Sequence, residues 1–280
     1  MMAKAPKSDN LEYPSAKPIL KWAGGKRQML PELSKLIPKN YDRYIEPFFG
    51  GGALYFHIRP KNAIIGDSNK ELINLYKQVR EDYAQISEVV KRWSNDKDTY
   101  YKVRGLETEA LTEVERAART LYLNKTCFNG LYRVNKKGQF NVSYGKNPNA
   151  TIFDEQTIKT ASHLFKSTEI ICDDYKEVLT KASKGDFVFL DPPYDPVGKY
   201  SDFKRYTKDF FYKDDHVELR DIFQNLSESG CAVILTNSNS EFINKIYSGY
   251  DKILVNTRRS INSKGNKRKG EDLIIYSNLD

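Results

Sequence analysis

A chain of 280 residues, 39% hydrophobic and 29% charged with three cysteines, is neither a disulfide-built mini-domain nor a disordered polyelectrolyte. Its longest apolar runs, "FVFL" and "CAVIL", are strand-sized and far short of a membrane span, so no membrane partner is expected. The 45 Lys and Arg against 37 Asp and Glu leave a formal charge of +8, which suits a polyanion because basic side chains release the counterions condensed on phosphates.

In chain order, "MMAKAPKSDN" carries lysines with no apolar core behind them and reads as a frayed tail rather than a secretory signal. "LKWAGGKRQML" sets a Trp, two glycines and a Lys at a helix start. A Gly-Gly-Lys turn suggests phosphate, but a P-loop needs Gly five residues before Gly25 and Ser or Thr after the Lys; Leu20 and Arg27 stand there instead. "DRYIEPFFGGGAL" is a strand over Arg43 to Glu46 running into a glycine turn, with "GGALYFHI" as the following helix. The dinucleotide fingerprint fails, because Tyr55 occupies its last glycine position. "NAIIGDSN" is a second strand ending in Asp67. "SNKELINLYKQVRED" follows with a cap and with Leu72, Ile73, Leu75, Tyr76 and Val79 at helical spacing. Strand, turn, helix, strand, helix opens a doubly wound α/β sheet.

From about Trp93 to Asn149 the character changes. "ERAARTLYLNKTCFNGLYRVNKKGQFNVSYG" begins as a helix and passes into a basic, aromatic, Asn- and Gly-rich stretch that reads as an insertion. After Ile152 the α/β pattern resumes with "TEIICDDY", "DFVFLDPPY" and "CAVILTNS" as buried strands and "KDDHVELRDIFQNL" as a helix. "KILVNT" and "DLIIYSN" form an antiparallel hairpin interrupted by the basic loop "RRSINSKGNKRKG". Cys127, Cys172 and Cys231, like His57, His163 and His216, show no metal-ligand spacing, so no metal is expected. A reducing cytoplasm is the expected location.

Ligands of an open α/β sheet collect at the carboxyl ends of its strands, where a glycine turn admits close approach and a carboxylate after the second strand meets ribose hydroxyls. "PFFGGGAL" and Asp67 fit that logic, although a glycine turn alone also serves simply to connect strand to helix. "FVFLDPPY" is sharper: Asp191 and Tyr194 follow an apolar strand on a backbone stiffened by Pro192 and Pro193. The bland alternative is a proline-terminated strand with a turn Asp. An exocyclic amine on a base ring is a poor nucleophile because its lone pair is delocalised. The Asp191 carboxylate and Pro192 carbonyl could hold its two N–H groups and localise that lone pair while Tyr194 stacks on the ring, an arrangement suited to methyl transfer to a flipped base.

The ordered set "LKWAGGKRQML", "IEPFFGGGALYFHI", "IIGDSNKELIN", "CFNGLYRVNKKGQFNVSYG", "FVFLDPPY" and "RRSINSKGNKRKGEDLII" resembles the Dam-type DNA adenine-N6 methyltransferases of the alpha group (D12 class) that act at GATC, over about residues 18 to 278. The resemblance implies an α/β fold: a Rossmann-like class I methyltransferase domain (15–75 plus 155–280) with an inserted, mostly helical target-recognition domain (76–154). It implies S-adenosyl-L-methionine as cofactor. Trp22 and Lys26 would belong to the methyl-donor site, Asp67 would bind the donor's ribose, and Glu46, Phe48 and the Gly50 to Gly52 backbone would line the same pocket. Asp174 and Tyr175 would lie beside the donor's adenine, with Asp173 an equal candidate by spacing. Asp191, Pro192 and Tyr194 would be catalytic, Asp191 touching donor and target alike.

For DNA, Phe128 would enter the base stack and Arg133 would read guanine, with Asn129 and Leu131 as neighbouring contacts; Arg is the usual bidentate partner of guanine O6 and N7. Lys21 would contact a base or phosphate. Ser143 stands where the family commonly has Pro, which bears on the thymine side of the site, and the loop from Arg258 to Lys269 would contact phosphate. The expected partners are double-stranded DNA and, functionally, a cognate restriction endonuclease; a monomer is expected. The rival readings are an RNA or cytosine-N4 methyltransferase and a non-catalytic DNA-binding module.

Overall fold

Short strand runs with no polar alternation are the mark of strands covered on both faces, and every residue of "YIE", "AIIG" and "FVFL", the Glu included, is buried. They form β1 (Tyr44–Glu46), β2 (Ala63–Gly66) and β4 (Phe187–Leu190) in a computed structural model of the protein, which describes residues 16–22, 24–196, 211–258 and 269–279. β3 (Thr168–Ile171) and β5 (Ala232–Ser238) complete the parallel part of the sheet, and β6 (Asp251–Arg258) and β7 (Lys269–Ser277) the antiparallel part. The spatial order is β3-β2-β1-β4-β5-β7-β6. The chain therefore winds outward from β1 in one direction and from β4 in the other, and β1 and β4 bracket the switch point. The expectations for the N-terminal tail and for the basic loop at 259–268 lie outside the described residues.

Side chains of β4 alternate between two cores. Phe187 and Phe189 join one face, with residues of α3 (Lys70–Val90), α5 (Glu113–Thr126) and α6 (Glu155–Phe165). Val188 and Leu190 join the other, with α7 (Tyr175–Leu179), α8 (Lys213–Glu228) and α9 (Glu241–Ile246). Two short helices, α1 (Leu30–Leu36) and α2 (Ala53–Ile58), flank β1 in sequence. Below the switch point, Arg43 Nη2 pairs with the fully buried Asp186 at 2.7 Å, fastening the amino ends of β1 and β4.

Between β2 and β3 the chain makes α3, α4 (Lys97–Arg104), α5 and α6. A capping box, Thr112 with Glu115, starts α5. The buried alanines Ala117 and Ala118 let α5 pack into the main core beside α3, and Arg116 pairs with Glu71 across the two helices. A third, small core gathers Tyr100, Val103, Tyr122, Leu123, Cys127, Phe140 and Val142. Residues 127–145 fold over it through two isolated bridges, Cys127 with Tyr144 and Val134 with Phe140. Because β7 runs antiparallel to β5, with Ser238 opposite Asp272, the end of β6 and the start of β7 sit at the same edge as the carboxyl ends of the parallel strands. No helix of the described residues is long and apolar enough to cross a membrane.

Candidate active site

At the carboxyl end of β1 the chain turns into α2 through Gly50, Gly51 and Gly52. Gly50 has φ +47°, and a Cβ there would lie 2.8 Å from the Trp22 ring, so both conformation and contact demand glycine. The turn is tied down from β2: the Gly50 N–H donates to Asp67 Oδ2 and the Asn69 N–H to Asp67 Oδ1, both at 2.9 Å. Tyr76 donates its hydroxyl to the Gly50 carbonyl at 2.6 Å. Burial raises the Asp67 carboxyl above its ordinary range, and the two backbone N–H groups oppose that rise.

The second part of the site hangs from β4 and β5. Their register sets Leu190 opposite Leu235, so the next residues, Asp191 and Thr236, meet, and Thr236 Oγ1 donates to Asp191 Oδ1 at 2.7 Å. Asp191 Oδ2 pairs with Lys26 Nζ at 2.6 Å, and the same ammonium donates to the Gly24 carbonyl at 2.6 Å. Burial works against the Lys26 charge, but Asp191 and Tyr194 outweigh it and hold the ammonium above its usual range. Lys26 also lies 4.7 Å from the centroid of the Tyr194 ring, whose hydroxyl faces Met29 Sδ at 3.9 Å. One face of that ring is thus covered by a cation from the N-terminal segment.

Glu46, 2% exposed, accepts from the Tyr44 hydroxyl at 2.8 Å. Burial lifts its carboxyl well above the ordinary range, against the Tyr44 hydrogen bond. Phe48 stacks on Tyr175, centroids 4.9 Å apart, which joins the carboxyl ends of β1 and β3. Asp174 is exposed and caps α7 by accepting from the Lys176 N–H at 3.0 Å; Asp173 accepts from the Asp174 N–H at 2.8 Å. Both acids are committed locally. Trp22, Lys26, Glu46, Gly50, Gly52, Asp67, Asp191 and Tyr194 belong to one connected edge of the sheet, and Pro192 is buried within it.

The residues expected at DNA lie in the stretch after α5 and at Lys21, the neighbour of Trp22. Phe128 is 52% exposed, and Asn129 beside it adopts a left-handed φ of +56°. Leu131 is half-buried, its carbonyl accepting from the Cys127 thiol at 3.3 Å. Arg133 is exposed but held: Nε donates to Asn141 Oδ1 at 2.7 Å and Nη2 to the Asn141 carbonyl at 3.0 Å. The Ser143 carbonyl accepts from the Phe128 N–H at 2.9 Å. Lys21 is exposed, and its backbone pairs with the buried Asn124 side chain through N–H to Oδ1 at 3.0 Å and Nδ2–H to carbonyl at 2.7 Å.

Sequence reasoning passed over several of these partners. Thr236 fixes Asp191, and its neighbours fasten the same turn: the Asp195 N–H donates to Asn237 Oδ1 at 3.0 Å, and Ser238 Oγ donates to the Asp195 carbonyl at 2.7 Å. The signal was present as "TNS" at the carboxyl end of an apolar strand, where the rule that singled out Asp67 and Asp191 applies equally. Asn141, which holds Arg133, offered no comparable signal.

A polar turn of this kind, built at the switch point of an α/β sheet, is consistent with what the chain resembles. Residues 22–261 match the family described as D12 class N6 adenine-specific DNA methyltransferase. The type II methyltransferase M.MjaIII of Methanocaldococcus jannaschii is 42% identical over 275 residues, covering 90% of this chain and 95% of the relative. The type II methyltransferase M1.LlaDCHI of Lactococcus lactis subsp. cremoris is 39% identical over 270 residues, covering 94% and 95%. A DNA adenine methylase of Vibrio cholerae is 30% identical over 264 residues, covering 92% and 94%. With a family match across most of its length and relatives of this closeness, the chain is an enzyme that belongs to the D12 class of N6 adenine-specific DNA methyltransferases.

Proposed function

We propose that the enzyme transfers a methyl group from S-adenosyl-L-methionine to the N6 amine of an adenine flipped out of double-stranded DNA, at GATC. The observation that carries this reading is Asp191, held by Thr236 on one oxygen and Lys26 on the other, beside Tyr194 at the end of β4. A carboxylate offers about four lone-pair sites, so two bonds to the protein leave room for an amine N–H.

The residues fit the donor. Asp67 is oriented by two backbone N–H groups and keeps lone pairs for ribose hydroxyls. The glycine turn brings its backbone directly against the Trp22 ring, so a donor seated there would meet both. Lys26 would meet the donor's carboxylate, Trp22 would cover part of it, and the Phe48 and Tyr175 rings would lie beside its adenine. When bound, the donor supplies an electrophilic methyl on a sulfonium. The chain's own residues do the rest. Asp191 and the Pro192 carbonyl accept the amine's two N–H groups and localise its lone pair, Asp191 stabilises the positive charge the amine gains, and Tyr194 stacks on the base. Because Lys26 covers one face of Tyr194, the base takes the other.

Residues 15–75 with 155–280 form the donor-binding unit in this reading, and 76–154 the target-recognition unit, where Phe128 enters the stack and Arg133 reads guanine. The type II names of the archaeal and lactococcal relatives support a role beside a cognate restriction endonuclease; action in the cytoplasm and as a monomer completes the reading. The test is transfer from labelled S-adenosyl-L-methionine to duplexes with and without GATC, read by nucleoside analysis. N6-methyladenine confined to GATC is the expected result. Methyladenine in another context would overturn the specificity, and label on cytosine or only on RNA would overturn the substrate.

A further inference from the structure

Tyr132 lies within the insertion, one residue before the expected guanine reader Arg133, yet its side chain points at the sheet edge. Its ring stacks on Trp22, with centroids 5.1 Å apart and planes at 29°. Its hydroxyl donates to Asn69 Oδ1 at 3.3 Å. That same Asn69 oxygen caps α3 by accepting from the Leu72 N–H at 3.2 Å, and the Asn69 N–H holds Asp67. Asp67 in turn holds Gly50, over which Trp22 lies. The contacts close a ring, Tyr132 to Asn69 to Asp67 to Gly50 to Trp22 and back to Tyr132. It passes through three residues assigned to the donor site, Asp67, Gly50 and Trp22, and Tyr132 is the one member carried by the insertion.

We propose that Tyr132 is a positioning residue of the donor site, through which engagement of DNA by the neighbouring Arg133 and binding of the donor strengthen each other. The inference rests on the donor and DNA roles proposed above. A shift of the 131–134 backbone on DNA moves the ring that backs Trp22 and the hydroxyl that orients Asn69, so the two binding events share one set of contacts. Coupling of this kind is reciprocal by thermodynamic necessity. A second tie makes the joint stiff: the Asn124 side chain bridges the Lys21 backbone to the Gly130 carbonyl, the latter at 3.3 Å, and a Cβ on Gly130 would strike the Lys21 side chain.

The experiment is calorimetric titration of the full-length protein with S-adenosyl-L-homocysteine, alone and with saturating GATC duplex, for the unaltered protein, Tyr132→Phe and Tyr132→Ala. The unaltered protein should bind the probe more tightly with DNA present. Tyr132→Ala loses the stacked pair, about fivefold in affinity, and its DNA-induced tightening falls to near one. Tyr132→Phe keeps the stack and loses only the hydroxyl contact, so it retains part of the tightening; it also covers the case in which the alanine variant fails to fold. Equal tightening in all folded variants, or none in the unaltered protein, overturns the inference even if GATC methylation proceeds. Failure of the unaltered protein to bind the probe at all overturns the donor assignment itself, and this inference with it.

Discussion

The carboxyl edge of the sheet and the stretch from Cys127 to Gly145 are organised in opposite ways. At the sheet edge each functional group is fixed by another element: Asp67 by the β1–α2 turn, Asp191 by β5 and by the segment before α1. Lys26, Glu46, Gly50 and Gly52 are buried there, and Trp22, Asp67, Asp191 and Tyr194 are half-buried. In the 127–145 stretch the expected DNA contacts Phe128, Asn129 and Arg133 are exposed, and the Arg133 guanidinium is held only by a near neighbour in sequence, Asn141. The difference teaches where each half of the task obtains its precision. In the proposed reading, chemistry relies on a prebuilt arrangement that does not reorganise during reaction, while the exposed half would be completed by contact with DNA.

The largest expected effect strikes the rigid half. Asp191→Asn keeps the shape but removes both the acceptor charge and the countercharge of Lys26, and single-turnover methyl transfer should fall by at least about 10²- to 10³-fold. Duplex affinity should change little, and an unchanged transfer rate would remove Asp191 from the chemistry. Next, Arg133→Ala should cost about 1–3 kcal/mol of discrimination at the guanine position, roughly ten- to a hundredfold in the kcat/KM ratio between the correct duplex and one with that guanine replaced. An unchanged ratio would move guanine reading elsewhere.

A smaller effect separates positioning from fold. Thr236→Val keeps the strand and deletes one hydrogen bond to a charged oxygen, so kcat should drop by about tenfold or more, beyond what a Tm lowered by a few degrees explains, and Thr236→Ser should restore it. An effect on stability alone, with transfer untouched, is expected at His216 on α8. Burial lowers its pKa to about 4, against the pull of Asp195 and Asp215, and its ring sits edge-on between Phe211 and Phe242. The unfolded chain binds this proton near the ordinary value of 6.5 while the folded one does not. The stability from this group is therefore full above pH 6.5 and is lost as pH falls toward 4, by up to about 1.4 kcal/mol per pH unit. His216→Phe should flatten that stretch of the denaturation-versus-pH curve.

What the sequence disclosed follows from range. Apolar runs leading into Gly or Asp disclosed β2 and β4, and the apolar start of β5 did the same, because burial on both faces leaves that mark within a few residues. The five-residue α7 and six-residue α9 are too short to show a helical period, and α4 and α6 carry only two or three turns. Asp191 was legible from its place at a strand end. Its partner Thr236 depends on which strand pairs with β4 and in what register, and Tyr132 on which helix cap its hydroxyl reaches; neither is written in local pattern. The Asp174 side chain was a candidate by spacing, and its cap on α7 became visible only once the helix start was fixed.

Next to the central strand β4 lies β1, three residues long, and the Arg43–Asp186 pair that fastens the two spans 143 positions. Closing so long a loop is entropically costly, and the cost falls before the contacts it permits can repay it. During synthesis the first half of the chain, with β1 and β2 already made, cannot complete its sheet until β4 has emerged. Folding of this enzyme therefore waits on its own second half, and in that interval the exposed flank of β1 is the surface most open to mispairing.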